Sequence, residues 1–333
     1  MSARVLVLGG AGYIGSHMVK LLVREGLSVT IFDNLVTGHR DVLQGCDFVE
    51  GDIRDEADLQ RAFSGKHFGA VMHFAAHCYV GESVADPAKY YSNNMLGTLR
   101  TLDAMRRFGV NKLVFSSSCA TYGIPDAVPI AESHPQRPVS PYGVTKYVSE
   151  RMIRDYGAAY GVRAVSLRYF NAAGCDPDGE LGERHDPETH LIPLVLKEAI
   201  RVSQGGDPKN TTLKVFGDAY STPDGTCIRD YVHVADLCAA HLLAMHRLLE
   251  GRVEGFEAYN LGSERGFSVK EVIEVSRAVS GVPVGYEVSA PRPGDPAELV
   301  ADASRAKEVL GWKPQYAALE RIIGTAWKWF KGR

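Results

Sequence analysis

Residues 4–15, Arg4-Val5-Leu6-Val7-Leu8-Gly9-Gly10-Ala11-Gly12-Tyr13-Ile14-Gly15, decide the fold. A short apolar run, Arg4 to Leu8, leads straight into glycines at 9, 12 and 15, and a helical stretch from about Tyr13 to Glu25 follows. A loop without Cβ atoms lets the backbone come close to a pyrophosphate. The helix start offers that anion free N–H groups and the positive end of the helix dipole. A lone glycine pattern would fit an ordinary tight turn equally well; the order strand, loop, helix gives it meaning. The next strand, Val29 to Phe32, ends at Asp33, where a carboxylate accepts from both ribose hydroxyls of NAD and repels a 2′-phosphate, so NAD is expected rather than NADP.

The alternation continues outward from this unit. Strands are expected at Asp47 to Val49, Ala70 to Phe74, Lys112 to Phe115 and Ala164 to Tyr169, with a helix at Glu56 to Phe63. Repeated strand and helix imply an α/β fold of the Rossmann type, a doubly wound parallel sheet with helices on both faces. Ligands bind such sheets beyond the carboxyl ends of the strands, which places Asp52, after the third strand, near an adenine amino group; a helix cap is the alternative for it. After Gly174 the pattern breaks into Asp176-Pro177-Asp178-Gly179 and Asp186-Pro187, marking a boundary. We expect residues 1–175 to form the NAD-binding Rossmann domain and 176–333 a smaller α/β substrate-binding lobe, part of which packs back on the first. Helices are expected there from about Leu191 to Arg201 and Val234 to Leu249.

Composition narrows the function. Of 333 residues 45% are hydrophobic and 23% charged, as in an ordinary globular protein, and 37 Lys and Arg against 40 Asp and Glu leave no basic field for nucleic acid. No apolar run reaches the roughly 18 residues that cross a membrane, and glycines interrupt the first one, so neither a membrane span nor a secretory signal is expected. Asn210-Thr211-Thr212 is then a chance match to a glycosylation acceptor. The six cysteines have no C-x-x-C spacing and read as buried small hydrophobes in a reducing, cytoplasmic setting. No metal site is expected: H-E-x-x-H is absent, His73 and His233 read as packed residues, and the acidic stretch Asp176 to Glu188 reads as a solvated lid or linker. Trp327, Trp329 and Phe330 read as an apolar anchor for the last helix.

The second constellation starts at the fifth strand, which ends in Ser116-Ser117-Ser118, and continues at Ser140-Pro141-Tyr142-Gly143-Val144-Thr145-Lys146. Ser140 reads as a helix cap and Pro141 as the first helical residue, which puts Tyr142 and Lys146 four apart on one helix face. A phenol titrates near 10 in water and is a poor base at neutral pH unless an ammonium and the positive nicotinamide ring favour its anion. Lys146 supplies that charge and holds the cofactor ribose, while a serine at the strand end bonds the reacting hydroxyl. Such a pair also arises by chance on exposed helices; the glycine loop and Asp33 favour the catalytic reading.

With these residues the chain resembles the extended short-chain dehydrogenase/reductase superfamily and, within it, the UDP-glucose 4-epimerases. The resemblance covers nearly the whole chain. It includes Phe74-Ala75-Ala76, Val80-Gly81-Glu82-Ser83, Asn93-Asn94, Arg168-Tyr169-Phe170-Asn171 and Thr189-His190-Leu191-Ile192-Pro193. It continues through Phe216-Gly217, Thr222 to Thr226, Arg229-Asp230-Tyr231-Val232-His233 and Arg292-Pro293-Gly294-Asp295.

The resemblance implies reversible interconversion of UDP-galactose and UDP-glucose. Tyr142 takes the C4 hydroxyl proton as hydride passes to tightly held NAD, the 4-keto sugar rotates, and both return to the opposite face. It implies catalytic roles for Tyr142, Lys146 and Ser118. It implies cofactor contacts from Gly9, Gly12, Tyr13, Ile14, Gly15, Asp33, Asn34, Asp52, Ile53, Phe74, Ala75, Ala76, Asn93, Ser116, Tyr142, Lys146 and Phe170. The UDP-hexose falls to Ser118, Tyr142, Asn171, His190, Leu191, Phe216, Arg229, Arg292 and Asp295. The two arginines suit a diphosphate because guanidinium forks bind phosphate oxygens in pairs, a salt bridge being their alternative, and Phe216 suits the uracil. A homodimer through helices near Asn94 to Phe108 and Thr145 to Ala159 is also implied.

The chain departs from the pattern it resembles at His77-Cys78, where some members of that family carry a lysine near the nicotinamide, and at His190, where others have asparagine. Leu299 stands where the room at the sugar C2 is set and argues against N-acetylated sugars. Nucleotide-sugar dehydratases and decarboxylating relatives need a carboxylate just after the fifth strand, and Ser118-Cys119-Ala120-Thr121 holds none. A uronate epimerase, or a non-catalytic NAD-binding protein on the same fold, remains open at this point.

Overall fold

The computed structural model describes residues 4–292 and 294–333, so Pro293 of the quoted Arg292 motif lies outside the described residues. The first strands and helices alternate as β1 (Arg4–Leu8), α1 (Tyr13–Arg24), β2 (Ser28–Asp33), β3 (Asp47–Glu50), α2 (Glu56–Phe63) and β4 (Phe68–His73). Short helices α3 (Val80–Ala85) and α4 (Pro87–Tyr90) lead through a π-helical turn at Tyr91–Leu96 into α5 (Gly97–Arg107). Then come β5 (Lys112–Ser118), α6 (Pro141–Tyr160), β6 (Arg163–Tyr169) and β7 (Asn171–Ala173). The second half comprises α7 (Leu191–Ser203), β8 (Lys214–Phe216), β9 (Ile228–His233), α8 (Val234–Leu249), β10 (Phe256–Leu261), β11 (Gly266–Ser268) and α9 (Val269–Ser280). It ends with β12 (Glu287–Ser289), β13 (Glu298–Leu299) and α10 (Leu319–Lys331).

Seven parallel strands form the main sheet in the order β10-β6-β5-β4-β1-β2-β3. The order reverses between β1 and β4, which opens a crevice at their carboxyl ends. Successive side chains of β1 enter opposite faces: Val5 and Val7 join a core with Met18 of α1 and Leu237 of α8, whereas Leu6 and Leu8 meet Leu59 of α2 and Leu102 of α5. This two-sided burial explains an apolar run in place of an alternating one, each fully buried side chain contributing roughly 2 kcal/mol.

The second half does not stay apart from this sheet. Helix α8 packs on α1, and β10 pairs with β6 at the sheet edge. The remainder builds a small sheet, β11-β9-β13 with β7 paired to β9, and a two-stranded ribbon of β8 and β12. Trp329 is buried against Ile322 and Leu196, with Trp327 and Phe330 beside it, anchoring α10.

Strand β5 ends in Ser116, Ser117 and Ser118 as expected, running three residues past the apolar stretch Lys112 to Phe115. The Asp176–Glu188 stretch is not a solvated lid: Asp176 and Glu183 are buried, and Lys20 of α1 reaches Asp176 at 2.6 Å, Glu180 at 2.9 Å and Asp178 at 3.3 Å. All six cysteines are free, and four are buried, but Cys78 is exposed and Cys46 partly so.

Helix α6 is fixed by a buried charge. Glu150 accepts from Ser117 Oγ (2.7 Å) on β5, from Ser166 Oγ (2.9 Å) on β6 and from Arg168 Nε (2.9 Å) and Nη2 (2.5 Å). Burial pushes its carboxyl up, but the Arg168 guanidinium outweighs that and holds it below the ordinary glutamate value. Removing one partner of such a pair strands the other charge in the core. Glu150→Ala should therefore lower the unfolding free energy by about 3–5 kcal/mol, read from urea denaturation; an unchanged midpoint would refute the role given to this pair.

Candidate functional site

The crevice is built from strand ends. At its floor, Gly9 has φ +77°, and a Cβ there would lie 2.5 Å from the Ala75 amide nitrogen; a Cβ on Gly15 would overlap the Gly9 carbonyl oxygen. These two glycines let the loop, α1 and the end of β4 close together. Gly12 is different: its Cβ would meet only the Gly9 oxygen at 3.5 Å, so its outer side is open. Gly12 caps α1 without a side-chain bond and the first turn holds no acidic residue, leaving the N–H groups around Tyr13, Ile14 and Gly15 available to an anion. Beside them, buried Asp33 accepts from Ala11 N (2.9 Å) and Leu35 N (2.8 Å). Burial raises its pKa, and the two amides counter part of that shift.

Asp52 lies after β3 and accepts from Asn34 Nδ2 at 3.1 Å and from Arg54 through Nε at 2.8 Å and Nη2 at 2.7 Å; the Arg54 fork lowers its pKa to about 2. The cap of α2 is Asp55, so the helix-cap alternative for Asp52 does not hold. Ile53 is buried against Gly97 of α5. On the other side of β1, Phe74 and Ala75 donate to the Leu8 carbonyl at 2.8 and 3.1 Å, extending the pairing as far as the residue before Ala76. Asn93 and Asn94 sit buried in the π-helical turn, a helical irregularity often found at functional sites. Asn93 donates to Asn94 Oδ1 at 3.0 Å, and Asn94 in turn accepts from His77 N (2.9 Å) and donates to Thr145 Oγ1 (3.1 Å). This set of open amides, a buried carboxylate at the end of β2 and a Cβ-free approach fits a dinucleotide.

On the far wall, Ser140 caps α6 through Gly143 N at 3.2 Å and Pro141 occupies its first turn. Tyr142 and Lys146 are both buried. The Lys146 ammonium donates to the Ser116 carbonyl at 2.7 Å and lies 5.9 Å from the Tyr142 ring centre. Burial brings Lys146 down to about 8. Burial also drives the Tyr142 phenol well above its usual value, with nearby Tyr169 adding to the shift and the Ser118 hydroxyl opposing it. Ser118 Oγ accepts from Ala120 N at 3.1 Å. His73, at the end of β4, is held neutral by burial and by Lys146, with its pKa lowered to about 3. Tyr169 was not singled out from the sequence; its hydroxyl meets Ser116 Oγ at 2.5 Å, and its place at the end of β6 was the available signal.

Across the crevice the small sheet gathers further residues. Asn171 opposes Tyr231, and Arg229 lies beside Leu299. Phe170 is buried in an apolar cluster with Cys119, Tyr122 and Ala301, against which Leu299 packs. Arg229 pairs with Asp295 and donates to the Ile228 carbonyl at 2.7 Å, so the salt-bridge alternative raised for it is realised within this lobe. Arg292 is exposed, and its guanidinium stacks 4.1 Å from the centre of the Phe216 ring. His190 precedes Leu191 at the start of α7, and its Nδ1 pairs with Glu183. His233 is more than a packed residue: it caps α8 through Ala235 N at 3.0 Å.

Known proteins resemble this chain along nearly their whole length. The chain is 50% identical to a UDP-glucose 4-epimerase of Streptomyces lividans over 334 aligned residues, 99% of this chain and 96% of that one. It is 48% identical to a UDP-glucose 4-epimerase of Halalkalibacterium halodurans, covering 98% and 95%. A crystal structure of UDP-glucose 4-epimerase from Brucella ovis in complex with NAD superposes with a TM-score of 0.92 at 50% identity, over 99% of this chain and 98% of that one. The profile of one family matches residues 5–262, from β1 through the last strand of the main sheet, and with these full-length likenesses it shows that the chain belongs to the NAD dependent epimerase/dehydratase family.

Proposed function

We propose that this protein is an NAD-dependent isomerase that interconverts UDP-galactose and UDP-glucose by inverting the sugar at C4. The observation that carries the reading is Tyr142 with Lys146 four residues on, both buried on α6 opposite a glycine loop and Asp33. NAD, when bound, removes hydride from C4 and returns it to the opposite face of the 4-keto sugar.

Everything else falls to the chain. The open amides around Tyr13, Ile14 and Gly15 receive the cofactor pyrophosphate, with Gly12 beside it, and Asp33 takes its ribose, with Asn34, Asp52, Ile53, Phe74 to Ala76, Asn93 and Phe170 lining the remainder. Tyr142 accepts the C4 hydroxyl proton and gives it back, and Ser118 orients that hydroxyl. Desolvation opposes the Tyr142 anion, so the charge of Lys146, anchored by the Ser116 carbonyl, has to be retained within the cleft when ligands close it. On the nucleotide side, Arg229 and Arg292 take the diphosphate and Phe216 the uracil, with Asn171, His190, Leu191 and Asp295 completing the pocket. Leu299, beside Arg229 and against the Phe170 cluster, restricts the room at C2, which favours plain hexoses over N-acetylated ones.

A division follows: residues 1–175 carry the cofactor and 176–333 the UDP-sugar, with α8 and β10 serving the first unit. Two copies would pair through α5 and α6, whose neighbourhood exposes Leu96 and Tyr147. No helix among the described residues is long and apolar enough to cross a membrane, and we place the enzyme in the cytoplasm.

The decisive assay is conversion of UDP-galactose to UDP-glucose by purified protein without added NAD, with UDP-N-acetylgalactosamine in parallel. Conversion of the first alone is expected; silence in both, unrelieved by added NAD, would turn attention to a uronate or other nucleotide-sugar substrate. Tyr142→Phe should lose activity by about 100-fold or more while retaining NAD by absorbance of the released cofactor, and near-normal turnover would sink the mechanism. Light scattering at micromolar concentration should give the mass of a dimer, and a monomer alone would overturn the pairing through α5 and α6.

A further inference from the structure

The segment between β7 and α7 brings four metal-binding side chains to one point. Glu183, His185, Glu188 and His190 each offer a ligand atom, and all four atoms lie within 4.8 Å of one another. His185 Nδ1 is 3.2 Å from a Glu183 oxygen and 3.6 Å from a Glu188 oxygen, and His190 Nδ1 pairs with the same Glu183 oxygen. Hydrogen bonding alone does not account for this cluster. His185 Nδ1 has no hydrogen-bond partner: its 3.2 Å approach to Glu183 is poorly angled, and Glu188 at 3.6 Å lies beyond hydrogen-bond reach. The Glu188 side chain is 2% exposed, and while its Oε1 accepts from the Thr189 and His190 amides at 2.8 and 2.9 Å, its Oε2 has no partner. A fully buried carboxylate oxygen left unsatisfied beside an unsatisfied imidazole nitrogen is costly, and a cation between them would satisfy both.

We propose that these four residues form a binding site for a divalent transition-metal ion of the zinc type. The donor set is two imidazole nitrogens and two carboxylates, which selects zinc-like ions over magnesium or calcium, ions that take oxygen donors. Two carboxylates also cancel the charge of a divalent ion, so no uncompensated charge is buried. Zinc bonds of about 2.0–2.1 Å in a tetrahedron put ligand atoms about 3.3 Å apart. The His185 to Glu183 distance already meets that value; the tighter His190–Glu183 contact opens, and the 3.6 Å His185–Glu188 separation closes, by side-chain rotation.

The site's place in the fold suggests a clamp. The His185 ring lies edge-on to Tyr13 of the glycine loop, centres 6.1 Å apart, and to Tyr79 after β4 at 5.7 Å. An ion here would fix the connection between the main sheet and α7 against both walls of the crevice. His190 is also one of the residues assigned above to the UDP-sugar, so the ion would border that pocket, while the proton transfer stays with Tyr142.

The test uses the untagged full-length holoenzyme, stripped with a chelator and titrated with Zn2+ against a chromophoric competitor, with metal content read by elemental analysis. One equivalent per chain is expected, unaffected by excess Mg2+, with a raised melting temperature. His185→Ala and Glu188→Gln should each weaken that equivalent by at least about 10-fold, the lower end of what loss of even an outer-shell partner costs. Glu188→Gln keeps the side-chain shape and serves should His185→Ala not fold. Binding well below one equivalent, displacement by Mg2+, or an equivalent that survives both substitutions would overturn the proposal. The readout is metal and melting temperature, so it stands independently of the epimerase reading.

Discussion

The buried Glu150 carboxylate is the constraint on which the working face of the molecule depends. It stands on α6 one turn beyond Lys146 and two beyond Tyr142, and it is bonded to β5 through Ser117 and to β6 through Ser166 and Arg168. Three strand and helix elements therefore share one ionic knot. Arg168 extends it, donating to Tyr122 Oη at 2.9 Å, whose hydroxyl donates to Asn260 of β10 at 2.7 Å. A rigid knot behind the site matters because an error of about 1 Å at a reacting hydroxyl is enough to lose much of the benefit of orientation. The same network explains how a sheet edge assembled from sequence-distant strands ends in register with α6.

Burial sets the electrostatics of the cleft against its own chemistry. It lowers Lys146 to about 8 and raises Tyr142, so the protein by itself disfavours both charged forms. The residues that would relieve this are few: Ser118 beside the phenol and the Ser116 carbonyl on the ammonium. A site poised in this way responds strongly to any charge delivered with a ligand, since one charge in a desolvated pocket acts at a far lower effective dielectric than in water. His73, neutral beneath Lys146, adds no competing cation.

Much of this was legible in the sequence where pattern and chemistry coincide. The glycine loop, the helices at Glu56–Phe63 and Val234–Leu249 and the Ser140-Pro141 start of α6 follow from local rules of periodicity and capping. The end of β5 was legible only by position, because its serines lack the apolar signature that marks a buried strand; they are buried through hydrogen bonds that only the folded chain reveals. Strand β10 was hidden for the same reason, its Glu257 and Asn260 being polar by sequence yet satisfied by Arg247 and Tyr122. Glu150 continued the four-residue spacing from Tyr142 and Lys146, a signal present but unread, whereas its partner Arg168 required the tertiary structure.

The segment from Asp176 to His190 shows the limit of reading charge by composition. A run rich in Asp, Glu, Pro and His predicts solvation because an unpaired charge is expensive to bury. Here each buried acid is met by chemistry from elsewhere: Lys20 on α1 takes Asp176, and two histidines of the segment itself turn inward on Glu183. The sequence spacing of the four metal-ligand candidates matches no familiar motif because they are held by an irregular loop and not by a helix face. Their convergence is set by where that loop must pass, pinned by Lys20 at one end and by the start of α7 at the other. A connection tied at both ends, lying between the start of α1 and the start of α7, is where the fold has most to gain from a further link.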